Sequence, residues 1–92
     1  MTITVRAFAD YREIMGPEGA FPLAEAKTIG DLLTERCNLY PALRREMFTP
    51  AGELKEFINI FLNGRNIAFL AEMATTLTDG DIVALFPPVA GG

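Results

Sequence analysis

The feature that most constrains the fold is one apolar stripe at helical spacing, flanked by segments with a period of two. The stripe recurs at positions i, i+3, i+4 and i+8 and consists of Ile29, Leu32, Leu33 and Cys37. Residues 2–8 before it alternate between two faces, which is typical of a strand with one buried side. Residues 57–62 after it carry aliphatic side chains at every second position. Because 92 residues suffice for one domain only, these segments must share one core.

The boundaries of the helix are marked by capping residues and a proline. Thr28 can accept hydrogen bonds from the free N–H groups of the first turn, and Asp31 three residues later completes a box-like pair. Pro41 pushes its predecessor out of the α region, so the helix is predicted to end near residues 38–40. A second, short helical piece is predicted at residues 42–48.

Turn chemistry separates the remaining strands. Residues 16–19 combine two glycines with a proline, and Asn63-Gly64 is the favoured pair for a tight hairpin. Residues 78–81 form another turn, after which Pro87 ends the last strand because proline donates no ladder hydrogen bond. The predicted strands are 2–8, 20–24, 57–62, 67–69 and 82–86.

This order of elements predicts an α+β fold. A hairpin, a crossing helix and returning strands give a mixed sheet wrapped on one main helix, which is the β-grasp architecture. We expect a β-grasp domain at residues 1–86 and an extended C-terminal tail at residues 87–92.

Composition argues against several classes of function. The formal net charge is −4, and no basic run extends beyond Arg44-Arg45, so a nucleic-acid partner is not expected. The longest apolar stretches, such as residues 67–71, are far shorter than the ~20 residues that span a bilayer. The N-terminus lacks the continuous apolar run of a secretory leader. No membrane association is therefore expected.

Cysteine and histidine usage indicates a compartment and limits the chemistry. Cys37 is the single cysteine, so it has no partner within the chain for a disulfide, which fits a reducing cytoplasm. Its place on the apolar stripe favours a structural role over a role as a sulfur relay. The chain contains no histidine, so neither a metal site nor histidine-based catalysis is expected.

The last seven residues have a composition suited to presenting a carboxylate. They are Phe86, Pro87, Pro88, Val89, Ala90, Gly91 and Gly92. The two prolines favour an extended backbone, and six residues beyond Phe86 reach at most ~20 Å. Two terminal glycines carry no Cβ, so the tip can enter a narrow channel. The tail is therefore predicted to be a flexible arm with the Gly92 carboxylate as its reactive group.

The tail also carries a resemblance to a known family. Residues 77–92, LTDGDIVALFPPVAGG, are similar to the C-terminal signature of the molybdopterin synthase small subunit, a ubiquitin-like sulfur carrier. Phe8-Ala9 followed by Arg12-Glu13 and Gly16 is similar to the first strand and loop of that family. The resemblance covers nearly the whole chain.

The resemblance implies a mechanism in which this chain is a co-substrate and not an enzyme. An E1-like adenylyltransferase would use ATP to convert the Gly92 carboxylate to an acyl-adenylate, and a cysteine-based donor would replace AMP with sulfur. The resulting thiocarboxylate would enter the molybdopterin synthase large subunit, in a heterotetramer, and give its sulfur to a cyclic pyranopterin precursor. The product is the dithiolene that holds molybdenum or tungsten. The carrier itself would bind no cofactor.

One segment departs from this family and leaves open the client, which is the acceptor that receives the sulfur. Residues 50–56 are an insertion relative to its most compact members, and residues 53–64 are more similar to archaeal-type members. Those include carriers for other sulfur pathways (cysteine, thiamin or tRNA thiolation) and small modifiers that form isopeptide bonds with lysines. A free-standing interaction module with an idle tail is the remaining alternative.

Three aromatic residues are candidates for a partner surface. Phe8, Phe61 and Phe86 have the strand parity opposite to the aliphatic positions, so they are predicted on the open face of the sheet, where an aromatic patch marks an interaction site. Phe8, Arg12 and Phe86 also match partner-contacting positions of the family. Asp79 and Asp81 are explained by the turn that contains them.

Overall fold

The structure is a computed structural model, and it describes residues 1–22 and 27–88. The strands are β1 (Thr2–Ala7), β2 (Glu18–Pro22), β3 (Asn59–Leu62), β4 (Arg65–Asn66) and β5 (Ile82–Phe86). The α-helices are α1 (Ala9–Met15), α2 (Ile29–Leu39) and α3 (Pro41–Met47). Two single-turn 3-10 helices lie at Ile67–Phe69 and Glu72–Ala74.

The five strands form one mixed sheet in the order β2-β1-β5-β3-β4. The central pair, β1 and β5, is parallel, with Val5 opposite Val83, and the other neighbours are antiparallel. On one face of the sheet, alternate residues such as Ile3 and Leu85 are fully buried. This arrangement confirms the predicted β-grasp.

Helix α2 begins and ends where its sequence predicts. The Thr28 hydroxyl accepts a hydrogen bond from the Asp31 N–H at 3.2 Å, and the Asp31 carboxylate accepts one from the Thr28 N–H at 3.1 Å. The hydrogen bonds that the carboxylate accepts from the Thr28 N–H and, at 3.1 Å, from the Thr28 hydroxyl lower the pKa of Asp31. The helix ends at Leu39, and Pro41 occupies the first turn of α3, where its missing N–H is harmless.

The core lies between α2 and the sheet. The predicted stripe is buried throughout, and the pKa of the Cys37 thiol is raised by that burial. A raised pKa keeps the thiol protonated and weakens it as a nucleophile, which supports the structural role predicted for this cysteine. Helix α3 adds Leu43 and Met47 to the same core.

Two turns meet at the start of β5. Asn63 and Gly64 both have positive φ, +50° and +85°, as the tight hairpin between β3 and β4 requires. The buried Asp81 carboxylate accepts hydrogen bonds from the Thr78 N–H at 2.7 Å and from the Asn63 amide at 2.9 Å. Both predicted turns are confirmed, and Asp81 has the structural role expected of it.

Several local predictions were wrong. Residues 67–69 form a 3-10 turn because the Asn66 side chain accepts a hydrogen bond from the Ala68 N–H at 2.9 Å, and the return strand is instead Arg65–Asn66. Helix α1 lies between the first two strands, where the sequence predicted no helix. Strand β2 begins at Glu18, inside the predicted turn, and the predicted end of that strand at residue 24 lies outside the described residues.

Candidate functional site

The site is built around the end of the central strand. Strand β5 has β1 on one side and β3 on the other, and its last residue, Phe86, lies opposite Asn59. Pro87 and Pro88 follow outside any strand. The candidate residues Val89, Ala90, Gly91 and Gly92 lie outside the described residues.

Three phenylalanines form a continuous group, called here the aromatic surface, which consists of Phe8, Phe61 and Phe86. The rings of Phe8 and Phe86 are stacked, with centroids 4.3 Å apart and planes within 10°. Phe61 meets Phe86 edge to face, at 5.4 Å and 82°. Each of the two geometries is favourable for an aromatic pair. The predicted clustering of these residues is therefore confirmed, whereas their role in binding stays a prediction.

The strand order explains why distant residues meet. Phe8 directly follows β1, Phe61 lies on β3 and Phe86 ends β5, and these three strands are neighbours. All three rings have the parity opposite to the buried aliphatic side chains, so they lie on the face of the sheet away from α2. Phe8 is 37% exposed, and the other two rings are partly exposed.

The aromatic surface borders a shallow cavity of about 290 Å³, which is also lined by Arg6 and Ala84. At the edge of this cavity, the Arg6 guanidinium forms an ion pair with Glu18 at 2.6 Å. Arg6 was not predicted as part of this site, although Arg6 and Phe8 have the same strand parity. The cavity offers apolar contact with a charged rim, which suits recognition of another protein.

Arg12 is displaced from this group. It lies on α1, where its N–H donates to the Phe8 carbonyl at 3.4 Å, and its side chain is exposed. It is not among the residues that line the cavity. The structure therefore brings together three of the four residues predicted to bind a partner.

Neither a metal site nor a membrane span is found in the part of the chain that the structure describes. In residues 1–22 and 27–88, no three side chains of the metal-ligating types cluster closely enough to hold an ion. Over the same residues, no helix has the length and apolarity needed to cross a bilayer.

Comparisons with known proteins agree with this geometry. The model of the ThiS family matches residues 5–92. Small archaeal modifier protein 3 of Haloferax volcanii is 39% identical over the whole of both chains. The sulfur carrier protein CysO of Mycobacterium tuberculosis is 32% identical, over 75% of this chain and 76% of its own.

Solved structures of similar proteins share the fold. The crystal structure of SAMP1 from Haloferax volcanii covers all of both chains, at a TM-score of 0.87 and 33% identity. A putative molybdopterin converting factor, subunit 1, from Pyrococcus furiosus covers 96% of this chain and 98% of its own, at a TM-score of 0.75 and 29% identity. This protein therefore belongs to the ThiS family of ubiquitin-like sulfur carriers, and its similar relatives include archaeal small modifiers.

Proposed function

We propose that this protein carries sulfur as a thiocarboxylate on Gly92. The observation that carries the proposal is the position of Phe86, which ends the central strand within the aromatic surface and directly precedes the two prolines. A partner that covers the aromatic surface is thereby placed next to the start of the tail. Six residues beyond Phe86 give the Gly92 carboxylate a reach of at most ~20 Å from that surface.

The chemistry requires groups that a partner supplies. The Gly92 carboxylate attacks the α-phosphorus of ATP in an E1-like adenylyltransferase, which releases pyrophosphate and leaves an acyl-adenylate. A persulfide on a donor cysteine then provides the sulfur that displaces AMP, and a thiol reductant frees the thiocarboxylate from the donor. The cysteine of this chain is buried with a raised pKa, so an external donor fits better.

The client we propose first is the pyranopterin precursor of molybdenum or tungsten cofactor, with a molybdopterin synthase large subunit as partner, in a heterotetramer. Two observations support it. The tail sequence resembles that of the small subunit of this enzyme, and the Pyrococcus furiosus relative is described as a putative molybdopterin converting factor subunit. Delivery to another thiolation pathway, such as cysteine synthesis, is supported by the similarity to CysO.

A second candidate function is protein modification, in which the activated Gly92 carbonyl forms an isopeptide bond with a lysine amine. It is supported by the 39% identity over the full chain to small archaeal modifier protein 3. Both functions need the same acyl-adenylate, and they differ in the nucleophile that reacts next.

Intact mass spectrometry of the protein purified from its native cell tests the first function. We expect a fraction of molecules to be heavier by the mass difference between one sulfur and one oxygen, with the change located on Gly92 by fragmentation. A variant with one alanine appended after Gly92 should lose this fraction and keep its thermal stability, because the change lies outside the core. A wild-type chain that never carries the sulfur would refute the proposal.

Genetic complementation then separates the clients. Cells that lack the chain should lose molybdenum- or tungsten-enzyme activity. The wild-type gene should restore this activity, whereas a gene for the variant lacking Gly92 should not. Covalent ladders that depend on Gly92, together with normal cofactor levels, would favour the modifier. If deletion of Gly92 changes neither readout, the tail is idle and both proposals are wrong.

A further inference from the structure

We propose that a cleft on the helical side of the molecule binds an acidic segment of a protein partner. The cleft, called here the cationic cleft, lies between the C-terminal end of α3 and the loop that follows it, and has a volume of about 370 Å³. Its lining includes Arg44, Arg45, Phe48, Thr49, Pro50 and Lys55. Part of this loop is the segment 50–56 that departs from the compact members of the family.

The charge of the cleft is opposite to that of the whole protein. Three of the eight lysines and arginines line it, in a chain whose net charge is −4. No carboxylate is among the described residues that line it. Within residues 1–22 and 27–88, ion pairs join Arg6 to Glu18 and Arg36 to Glu35, so the three cations of the cleft have no carboxylate partner there.

Two of these cations donate hydrogen bonds to oxygen atoms. The Lys55 ammonium donates to the Arg45 carbonyl at 2.6 Å, and the Arg44 guanidinium donates to the Asn38 amide oxygen at 2.8 Å. Both acceptors are neutral. Glu46, the acidic residue of α3, is exposed and is not among the described residues that line the cleft.

The loop is held in place before any ligand arrives. The Thr49 N–H donates to the Glu53 carbonyl at 2.8 Å, and the Lys55 N–H donates to the Met47 carbonyl at 2.8 Å. Phe48 and Leu54 form an antiparallel bridge across the loop. A preorganised site loses less conformational entropy on binding, so even separated ionic contacts can give measurable affinity.

The geometry favours carboxylates over a phosphate group. The cleft lies at the C-terminal end of α3, so it does not offer the backbone N–H groups with which a helix N-terminus binds a phosphate, and its attraction for anions comes from side chains. Arg44 and Arg45 are consecutive residues of α3 that both line the cleft, and each planar guanidinium can hold one carboxylate, which matches carboxylates spaced along a peptide. Phe48 and Pro50 provide apolar contact for the methylene groups of glutamate side chains.

The cleft is separate from the aromatic surface. Helix α3 packs beside α2, with Leu43 and Met47 in the core on the buried face of the sheet, whereas the aromatic surface lies on the opposite face. A partner in the cleft would therefore leave the aromatic surface accessible. Because of this separation, the inference does not depend on the sulfur chemistry of Gly92.

Fluorescence anisotropy with a labelled hexaglutamate peptide tests the proposal, with hexaglutamine as the uncharged control peptide. We expect saturable binding to the wild-type chain that weakens between about 50 and about 300 mM NaCl. The double variant Arg44→Gln/Arg45→Gln should bind roughly ten-fold more weakly, since two guanidinium contacts are lost. The matched control is Arg65→Gln, which removes an exposed arginine of β4 outside the cleft and should bind as the wild type does.

Backbone amide chemical shifts of the wild-type chain provide a second readout that needs no variant. Titration with hexaglutamate should move the amides of residues 44–55 and leave those of Phe61 and Phe86 unchanged. Equal affinity for hexaglutamate and hexaglutamine, equal loss in Arg65→Gln, or shifts confined to other residues would each overturn the proposal. Tighter binding of inorganic triphosphate than of hexaglutamate would overturn it in favour of a phosphate ligand.

Discussion

Removal of the Asp81 carboxylate should strongly destabilise the fold, because this one side chain joins two turns. It accepts hydrogen bonds from the N–H and hydroxyl of Thr78, at 2.7 and 3.1 Å, and from the Asn63 amide at 2.9 Å. The Asn63 side chain in turn accepts from the Ile82 N–H at 2.9 Å. Both turns therefore depend on Asp81 to hold the start of β5.

The size of the loss in unfolding free energy depends on which hydrogen-bond donors are left without an acceptor. A hydrogen bond to a charged group contributes about 1.5–3 kcal/mol, but the Thr78 hydroxyl and the Asn63 amide are on exposed residues and can turn to water. The Thr78 N–H cannot turn away in this manner. We therefore expect Asp81→Ala to lower the free energy of unfolding by about 2–4 kcal/mol. For a domain of this size that lowers Tm by about 10–20 °C.

Urea denaturation followed by circular dichroism measures the effect. The midpoint should fall without a change in slope, since the surface exposed on unfolding is the same. Asp79→Ala is the matched control in the same turn, because that exposed carboxylate accepts one hydrogen bond, from the Thr2 N–H at 2.6 Å. If Asp81→Ala is no more destabilising than Asp79→Ala, the role assigned to Asp81 is wrong.

Three further predictions concern the helices. Leu32→Ala should lower the free energy of unfolding by about 2–5 kcal/mol, measured by urea denaturation, because the side chain is fully buried. Tyr11→Phe should raise it by about 1 kcal/mol, since the buried hydroxyl has no hydrogen-bond partner among the described residues and burial raises its pKa to about 12; a clear loss of stability would show that the hydroxyl has a partner. Asp31 has a lowered pKa, so the stability from its carboxylate is present above its ordinary pKa of 3.8 and is lost as pH falls below it. Asp31→Asn should therefore be less stable than wild type at neutral pH and equal to it well below pH 4, as measured by thermal melts across pH; an unchanged difference would contradict the assignment.

The sequence predicted the elements whose signals are local. The Thr28–Asp31 capping box, the buried stripe of α2 and the Asn63-Gly64 hairpin each depend on residues close together in the chain, and the structure contains all three. Side-chain parity likewise predicted which face of the sheet the aromatic residues share. Local rules work here because a cap, a stripe and a tight turn are each specified within about two helical turns of sequence.

The elements that the sequence did not predict depend on tertiary contacts. Helix α1 has seven residues, no side-chain cap and Ala9 at positive φ, so an isolated segment of this length would not be stable. Its stability comes from Tyr11, which is buried in the core. Tyr11, Ile14 and Met15 at helical spacing were the available signal. The cationic cleft also depends on tertiary contacts, because Lys55 meets Arg45 across the loop.

The position of β5 fixes the chain up to the residue at which the proposed tail begins. An edge strand is held by one neighbour, whereas β5 is hydrogen-bonded to β1 and to β3, and the ring of Phe86 contacts both Phe8 and Phe61. The chain is therefore fixed up to its last strand residue. Pro87 and Pro88 have no N–H to donate, so the ladder cannot continue through them. We therefore propose Phe86 as the boundary between the folded domain and the tail, so that a partner bound on the aromatic surface would contact the residue from which the tail departs.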